Sequence, residues 1–327
     1  MRTIIILLLV AGCACVAWVG WAVTSPVAPT REQFVLLRPG FSTRRIASEL
    51  KAAGVIRNVG AFRLWHYLNR GKSLKAGEYR FVSAESVAEV HRRLVRGDIY
   101  TRTVVIPEGY TVFDVAQAME QAGLGSKEEF LKVAQSDTGL ISDMAPEAQS
   151  LEGYLFPDTY EFTRLQTPRD IAAVMVKHFR QVAGAIGLTS DVQRIVTMAS
   201  IVEKETAAPE ERAKVASVYY NRLARKMALG ADPSVIYAEL LAGTYQGTLR
   251  HDDLQTNSPY NTYRNAGMPP GPIASPGRSA LEAAMHPAQT DYLYFVSDAN
   301  VHHRFARTLE EHNQNINAYR RALRAQR

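Results

Sequence analysis

The sequence predicts an α+β fold that follows a single N-terminal transmembrane helix. Three observations support this prediction: an uncharged run at residues 4–23, a strand–helix pattern that occurs twice within residues 31–125, and a mixture of helices and short strands over residues 126–327. A run of 20 uncharged residues is long enough to cross a bilayer core of about 30 Å as a helix. We therefore expect a tail (1–3), a transmembrane helix (4–23), a linker (24–30), a small α/β module (31–125) and a larger mixed α+β domain (126–327).

The composition is that of an ordinary globular protein rather than a disordered one. Of the 327 residues, 46% are hydrophobic and 21% are charged. The net charge of +6 suits an anionic polymer or a membrane surface, but it is too small to indicate nucleic-acid binding by itself. No nucleic-acid-binding motif accompanies it.

The N-terminal run has the features of a retained membrane anchor. Trp18 and Trp21 lie near its end, where amphipathic rings prefer the membrane interface. Arg2 precedes the run, so the positive-inside rule places the N-terminus in the cytoplasm and everything after Val23 outside. Two alternatives stay open. A cleaved signal peptide is disfavoured because the run has no A-x-A site, and a lipoprotein box at residues 10–13 is disfavoured because apolar sequence follows it.

Cysteine and histidine positions give no indication of a metal or cofactor. Cys13 and Cys15, the only cysteines, lie in the membrane run, so the exported part has no disulfide or Cys-based metal site. The histidines at residues 251 and 302–303 lack the spacing of a ligand set. We therefore expect the protein to use neither a metal nor a cofactor.

A repeat at an offset of 69 residues organises the small module. Each copy reads strand, glycine turn, hydroxyl N-cap, amphipathic helix and terminating glycine, with Ser42 or Thr111 as the cap and Gly54 or Gly123 at the end. Small strand–helix modules of this type resemble LysM-like glycan-binding units. The alternative is a generic α+β scaffold without a ligand.

Periodicity and capping residues place the remaining elements. Alternation predicts strands at residues 77–82, 100–106 and 292–296, the last paired with 303–305. Helical periodicity predicts helices at residues 86–94, 126–143, 170–187, 190–206, 210–225, 232–241 (capped by Asp232) and 275–286, and a last helix that opens at a Thr308–Glu311 capping box. Two segments are predicted loops: 151–160, an aromatic stretch that lines a sugar site or is simply core, and 255–276, which is long enough to be functional.

The helix predicted at residues 190–206 carries a carboxylate on its apolar face. Ser190 and Gln193 form a capping-box pattern at its start. On a helical wheel, Glu203 continues the apolar stripe, whereas Glu205 lies at the margin of that stripe. Burial raises the pKa of a carboxyl towards neutrality, as a general acid requires. The alternative is a buried glutamate that is held by an arginine or by backbone amides.

Acids near aromatics in an exported protein suit glycan chemistry. Glycosidases use two carboxylates, whereas lytic transglycosylases need one. Residues 199–206, Ala-Ser-Ile-Val-Glu-Lys-Glu-Thr, resemble the YceG-like family of endolytic murein transglycosylases. Further matches to this family are spread in order along the chain, at residues 151–159, 219–223, 232–237, 260–263, 269–273, 275–277, 286–288 and 292–296.

The resemblance implies a membrane-anchored LysM-like module followed by a catalytic transglycosylase domain. It identifies Glu203 as the single catalytic acid and base, which cleaves between MurNAc and GlcNAc to leave 1,6-anhydro-MurNAc ends. The implied substrate is the nascent, uncrosslinked peptidoglycan strand at the outer (periplasmic) face of the inner membrane, next to peptidoglycan synthases. The matching motifs supply candidate substrate-binding residues: Glu205, Glu152, Tyr154, Asn221, Asp232, Tyr237, Tyr260, Asn261 and Tyr263.

Two other functions remain open at this point. One is a non-catalytic peptidoglycan-binding anchor of a cell-wall synthesis complex. The other is a hydrolytic muramidase whose second carboxylate is Glu205 or Glu152. The reducing ends of digested glycan separate them: anhydro ends, free ends or no cleavage.

We expect residues 4–23 to remain in the mature protein, because they form an uncharged run without a cleavage site. Intact-mass analysis of protein purified from membranes checks this. A mature chain that begins after residue 20, or a lipid on Cys13, would contradict it.

Overall fold

The structure is a computed structural model that describes residues 2–69 and 71–325. Met1, in the predicted tail, and Arg327, in the predicted larger domain, lie outside the described residues. The chain divides into two compact units. Unit one comprises Met1–Arg102 and Glu161–Gln166, and unit two comprises Thr103–Tyr160 and Thr167–Arg327.

The chain combines runs of helices with short strands, which is typical of an α+β fold. The helices are α1 (Arg2–Thr24), α2 (Thr43–Ala52), α3 (Val59–Leu68), α4 (Val87–Arg96), α5 (Val112–Gln121), α6 (Lys127–Ser136), α7 (Pro168–Ala185), α8 (Val192–Glu205), α9 (Arg212–Ala224), α10 (Asp232–Ala242), α11 (Arg278–Met285) and α12 (Leu309–Ala325). The strands are β1 (Gln33–Leu37), β2 (Gly77–Phe81), β3 (Arg102–Ile106), β4 (Asp158–Phe162), β5 (Tyr294–Ser297) and β6 (His303–Ala306). They form three two-stranded sheets, β1–β2, β3–β4 and β5–β6. The mixed α+β class is therefore confirmed.

Helix α1 contains the predicted uncharged run. It is long and apolar enough to cross a membrane, and it is the one such helix among residues 2–69 and 71–325. Its side chains are exposed except near its C-terminal end, where Ala22 and Val23 pack with Ala61 and Trp65. This helix is compatible with a single-pass membrane anchor.

Unit one is a small α+β module built on the antiparallel β1–β2 pair, in which Val35 lies opposite Tyr79. Helices α2, α3 and α4 cover the sheet, and their apolar faces meet in a core that includes Leu50, Phe62 and Leu94. Helix α3 is an element that the sequence analysis did not assign. Asn58 caps it by accepting from the Ala61 amide at 3.0 Å.

The two copies of the repeat have the local structure that the sequence predicts. Ser42 caps α2 and Thr111 caps α5 through their side chains, and Gly54 and Gly123 adopt the left-handed conformation just after each helix. The first copy lies in unit one, and the helix of the second copy lies in unit two. The limits of residues 31–125 as a domain stay a prediction.

Unit two is organised around α8, which contacts α9, α10 and α11. Its apolar face is buried over residues 196–202. The β5–β6 hairpin packs with α12, whose start has the predicted hydrogen bonds between Thr308 and Glu311. Strand β4 corrects part of the predicted loop at 151–160, because pairing with β3 makes residues 158–162 extended.

Two predicted caps are wrong. Helix α8 begins at Val192 after Asp191, a left-handed residue that makes no side-chain cap, so the Ser190–Gln193 capping box does not form. The side chain of Gln193 instead bonds elsewhere in unit two. Asp232 is the first residue of α10 rather than its cap, and its carboxylate accepts a hydrogen bond from the Tyr263 hydroxyl at 2.6 Å. In both cases a tertiary hydrogen bond takes the side chain that local capping would use.

Gly153 is a position where a side chain cannot be accommodated. Its φ is +82°, and a Cβ there would lie 2.7 Å from the Pro272 Cγ and 2.8 Å from the Val196 Cγ1. Gly187 has a similar φ of +77°, but no atom lies within 4 Å of its Cβ position. A side chain at Gly187 would therefore cause backbone strain alone, whereas a side chain at Gly153 would cause both strain and steric overlap.

We expect Gly153→Ala to reduce the free energy of unfolding by about 3 kcal/mol or more, since strain and overlap act together. Gly187→Ala is the matched control and should cost about 1 kcal/mol, from strain alone. Urea unfolding followed by circular dichroism measures both. Equal losses would contradict the packing of Gly153 against Pro272 and Val196.

Candidate functional site

Glu203 lies at the C-terminal end of α8, where it continues the buried apolar face. Its side chain is only 5% exposed. The carboxylate has two partners from other segments. Oε1 accepts from Nη2 of Arg212 at 2.7 Å, and Oε2 accepts from the backbone N–H of Gly277 at 2.9 Å. The burial of Glu203 that the helical wheel predicts is confirmed. Its two partners, an arginine and a backbone amide, are those expected under the alternative of a buried glutamate without a catalytic role.

The residue 269–277 segment, part of the predicted functional loop, runs alongside α8. Three hydrogen bonds hold it there: Gln193 Nε2 donates to the Pro270 carbonyl at 3.1 Å, Ile273 N–H donates to Ser200 Oγ at 3.0 Å, and Gly277 N–H donates to Glu203. The bonds occur in the same order along both segments. The loop is therefore fixed in register with the helix that carries Glu203.

A second carboxylate, Glu108, reaches the same place from the turn after β3. Its Oε2 lies 3.4 Å from the Arg212 Nη2 that also bonds Glu203. Two backbone hydrogen bonds fix this turn: Gly109 N–H donates to the Ser275 carbonyl at 2.8 Å, and Ser275 N–H donates to the Tyr110 carbonyl at 2.7 Å. The sequence analysis missed Glu108 because it treated the Pro-Glu-Gly stretch only as the glycine turn of the repeat.

Arg212 is the cation of this site and is itself buried. Its side chain is 7% exposed, and its Nη1 donates to the hydroxyl of Ser279. Arg212 is the first residue of α9, so its position follows from the turn that connects α8 to α9. Sequence reasoning named an arginine as a possible partner of Glu203 but did not identify which one.

The electrostatic environment raises the pKa of Glu203 above that of an ordinary glutamate. Burial is the largest cause, and the negative charge of Glu108 acts in the same direction. The Gly277 N–H and the positive charges of Arg212 and Lys204 oppose this rise. A raised pKa favours the protonated form of the carboxyl more than in an ordinary glutamate, which is the direction that a general acid requires.

Glu205 lines a cleft of about 310 Å³. The structure brings three of the predicted binding residues together here: Glu205, Asp232 and Tyr263. The Tyr219 hydroxyl donates to Glu205 Oε1 at 2.7 Å, and burial raises the pKa of Glu205 to about 7. Arg222 also lines the cleft and was not predicted. The cleft offers carboxylates, a cation and aromatic rings to a polar ligand.

Glu152 is enclosed in the interior of unit two. Its Oε2 accepts from the Val112 N–H at 2.9 Å, at the start of α5. Burial raises its pKa to about 8, although the Val112 amide and the Tyr237 hydroxyl act to lower it. The rings of Tyr237 and Tyr260 lie 5.0 Å apart at their centroids. This group of predicted residues is separate from the contacts of Glu203.

The remaining predicted residues make internal hydrogen bonds. Tyr154 is fully buried, and its hydroxyl bonds the side chain of Gln193. Asn221 donates to two carbonyls at residues 290 and 292, and Asn261 donates to two carbonyls at residues 254 and 256. No group of three or more His, Cys, Asp or Glu side chains suited to a metal occurs among the residues that the structure describes.

A buried, ion-paired glutamate with a raised pKa is the arrangement of a candidate acid–base site. The chain belongs to the YceG-like family, which it matches over residues 35–318. It is 34% identical over 296 residues to a Bacillus subtilis (strain 168) protein named endolytic murein transglycosylase, across 84% of this chain and 81% of that protein. A Streptococcus pneumoniae (strain D39) protein of the same name is 32% identical over 312 residues, which are 85% of this chain and 56% of that protein.

A solved structure agrees with this assignment. The crystal structure of the yceG-like protein lmo1499 from Listeria monocytogenes matches with a TM-score of 0.57 and 33% identity, covering 87% of this chain and 98% of that one. The family resemblance stated from the sequence motifs is confirmed.

The raised pKa of Glu152 predicts a pH dependence of stability. The unfolded chain ionises this group near pH 4.5, whereas the folded chain retains the proton up to about pH 8. As the pH rises through this window the unfolded state loses the proton first, so the free energy of unfolding falls.

We expect Glu152→Gln to abolish this contribution while keeping the hydrogen bond from Val112. Between pH 5 and pH 8, the wild type should lose roughly 3 kcal/mol more stability than the variant. Urea unfolding followed by circular dichroism at several pH values measures the difference. Parallel stability curves would show that Glu152 is already ionised in the folded protein at pH 5.

Proposed function

We propose that this protein is a membrane-anchored endolytic lytic transglycosylase. It cleaves nascent peptidoglycan strands between MurNAc and GlcNAc and leaves 1,6-anhydro-MurNAc ends. Family membership and the names of the relatives support the reaction class. The observation that carries the assignment to this chain is Glu203, a buried carboxyl with a raised pKa and a cation and an N–H on its two oxygens.

One carboxyl is sufficient for both steps of this reaction. Protonated Glu203 donates its proton to the glycosidic oxygen as the bond from C1 of MurNAc to that oxygen breaks, and GlcNAc leaves with a free hydroxyl. The Glu203 carboxylate then accepts the proton of the 6-hydroxyl of MurNAc while that oxygen forms a bond to C1. The ring closes, Glu203 is protonated again and no water is consumed.

The partners of Glu203 suit this cycle. Once the proton has left, the Arg212 guanidinium and the Gly277 N–H stabilise the carboxylate. Burial opposes the ionised form, so it acts against these two partners. A general acid that must become a base within one turnover needs this balance.

The cleft lined by Glu205, Asp232 and Tyr263 is our candidate for glycan binding. Tyr263 is 41% exposed, which leaves its ring available to stack on a sugar face. The two carboxylates can accept hydrogen bonds from sugar hydroxyls. For the candidates in the interior, Glu152, Tyr154, Tyr237 and Asn261, we propose support of the site rather than sugar contact. Asn221 and Tyr260 are half-buried, and we propose the same role for them.

The location of the enzyme follows from its anchor. With α1 in the inner membrane and the N-terminus in the cytoplasm, the residues after α1 lie on the periplasmic side, where strands are synthesised. The strand–helix repeat is LysM-like and serves to retain glycan, and peptidoglycan synthases are the partners that supply the strand. A non-catalytic anchor would share this location, so only the reaction product separates the two functions.

The hydrolytic alternative has a specific observation in its favour. Glu108 is a second carboxylate at the Glu203 centre, as a muramidase requires, whereas Glu152 and Glu205 make no such contact. Hydrolysis would leave free reducing ends instead of anhydro ends.

We expect Glu203→Gln to lower the rate of anhydro-end formation by roughly 10²-fold or more, since an amide cannot donate the proton. Uncrosslinked glycan strands are incubated with purified protein, and the ends are identified by mass spectrometry. Glu205→Gln should have a smaller effect. Glu282→Gln, which alters an exposed carboxyl paired with Arg278, is the control for a general change of charge.

Three results would contradict the proposal. Anhydro ends formed by Glu203→Gln near the wild-type rate would exclude Glu203. Free reducing ends from the wild type would indicate a muramidase. Strand binding without any cleavage would indicate a non-catalytic anchor.

A further inference from the structure

We propose that Glu108 is a positioning residue for Glu203. Its carboxylate shares the Arg212 guanidinium and thereby keeps Glu203 able to carry a proton. This inference rests on the proposed role of Glu203 as the general acid. Nothing in the local sequence around Glu108 connects it with Glu203, which lies on another element.

The geometry places one cation between two carboxylates. Nη2 of Arg212 is 2.7 Å from Oε1 of Glu203 and 3.4 Å from Oε2 of Glu108. The two acids differ in exposure: the side chain of Glu203 is 5% exposed and that of Glu108 is 49% exposed. Water therefore stabilises the charge of Glu108 far more than that of Glu203.

Counting charges shows the consequence. If Glu203 alone faced Arg212, the ionised carboxylate and the guanidinium would form a neutral buried pair, and Glu203 would resist protonation. With Glu108 also present, the three groups carry a net negative charge when both acids are ionised. Protonation of one acid relieves the repulsion between the two carboxylates, and it is favoured at Glu203 because burial penalises the charge there most.

Among the described residues, Lys204 on the same helix is a further charge that acts on Glu203. Its positive charge favours the ionised form of Glu203, and its Nζ donates to the Gly109 carbonyl at 3.2 Å. Arg212 on α9 and Lys204 on α8 therefore act against protonation, and Glu108 acts for it. The remaining contact, the Gly277 N–H, is uncharged.

Gly277 makes this arrangement possible. A Cβ at this position would overlap the carboxylate of Glu108. The backbone of Gly277 is extended, with φ −76° and ψ 172°, so alanine fits the conformation there. Gly277→Ala should therefore displace Glu108 without changing any charge and without removing the N–H that bonds Glu203.

The test is a titration of Glu203 in the full-length protein in detergent micelles. Glutamate labelled with ¹³C at Cδ is followed by NMR, and the Glu203→Gln spectrum assigns the resonance. Glu108→Gln should lower the pKa of Glu203 by about 1 unit, because a like charge is removed and Arg212 then serves Glu203 alone. Gly277→Ala should lower it in the same direction.

The double variant adds an internal check. Once the charge of Glu108 is gone, displacing that side chain has no further electrostatic effect, so Glu108→Gln with Gly277→Ala should match Glu108→Gln alone. Glu282→Gln should leave the titration of Glu203 unchanged. In the glycan assay, the alkaline limb of the pH–rate profile should move to lower pH in Glu108→Gln and in Gly277→Ala, since Glu203 must be protonated to start the reaction.

An unchanged Glu203 titration in folded Glu108→Gln would overturn the inference, as would a shift to higher pH. A shift in Glu108→Gln that is absent from Gly277→Ala would show that displacement at residue 277 does not reach Glu108, and would overturn the geometric argument. The titration does not depend on turnover. If the wild type forms no anhydro ends, the proposed function fails while the coupling of Glu108 to Glu203 is still measured.

Discussion

The ion pair between Arg212 and Glu203 is the interaction on which the arrangement of the site depends. Removing a carboxylate and a guanidinium from water is costly, and the cost is offset only when both are well bonded. Here α8 supplies the acid, α9 supplies the cation, and the segment before α11 supplies the N–H that completes the carboxylate. Each of these three segments therefore provides a hydrogen-bond partner for a buried polar group of another. These bonds fix the positions of the three segments relative to one another.

The carboxyls of unit two show how surroundings assign different chemistry to one residue type. Glu152 is enclosed without a cation and retains its proton to about pH 8. Glu205 is bonded by a tyrosine hydroxyl beside an open cleft, with a pKa of about 7. Glu203 alone of these three has a guanidinium on its carboxylate. Burial favours the protonated form of Glu203 and the guanidinium favours the ionised form, which supports the proposal that Glu203 exchanges a proton during the reaction.

The 269–277 segment shows how a long irregular stretch becomes a rigid part of a site. It contains four prolines and two glycines, so few of its backbone groups can join regular structure. Hydrogen bonds to the side chains of Gln193, Ser200 and Glu203 take the place of a ladder. Because the Gln193 side chain bonds this segment, it is not used for a local cap at the start of α8.

The sequence by itself determined what depends on near neighbours: the apolar N-terminal helix, the N-caps Ser42 and Thr111, and the burial of Glu203 through the period of α8. Its motifs also identified the family, which the comparisons confirm. Only the tertiary structure decided which groups meet Glu203. Arg212, Glu108 and Gly277 lie on three other segments, and helical periodicity has no information about partners that far along the chain. For the same reason, the Ser190–Gln193 cap was wrong and Glu108 went unnoticed: local patterns state what a side chain can bond, and packing decides what it does bond.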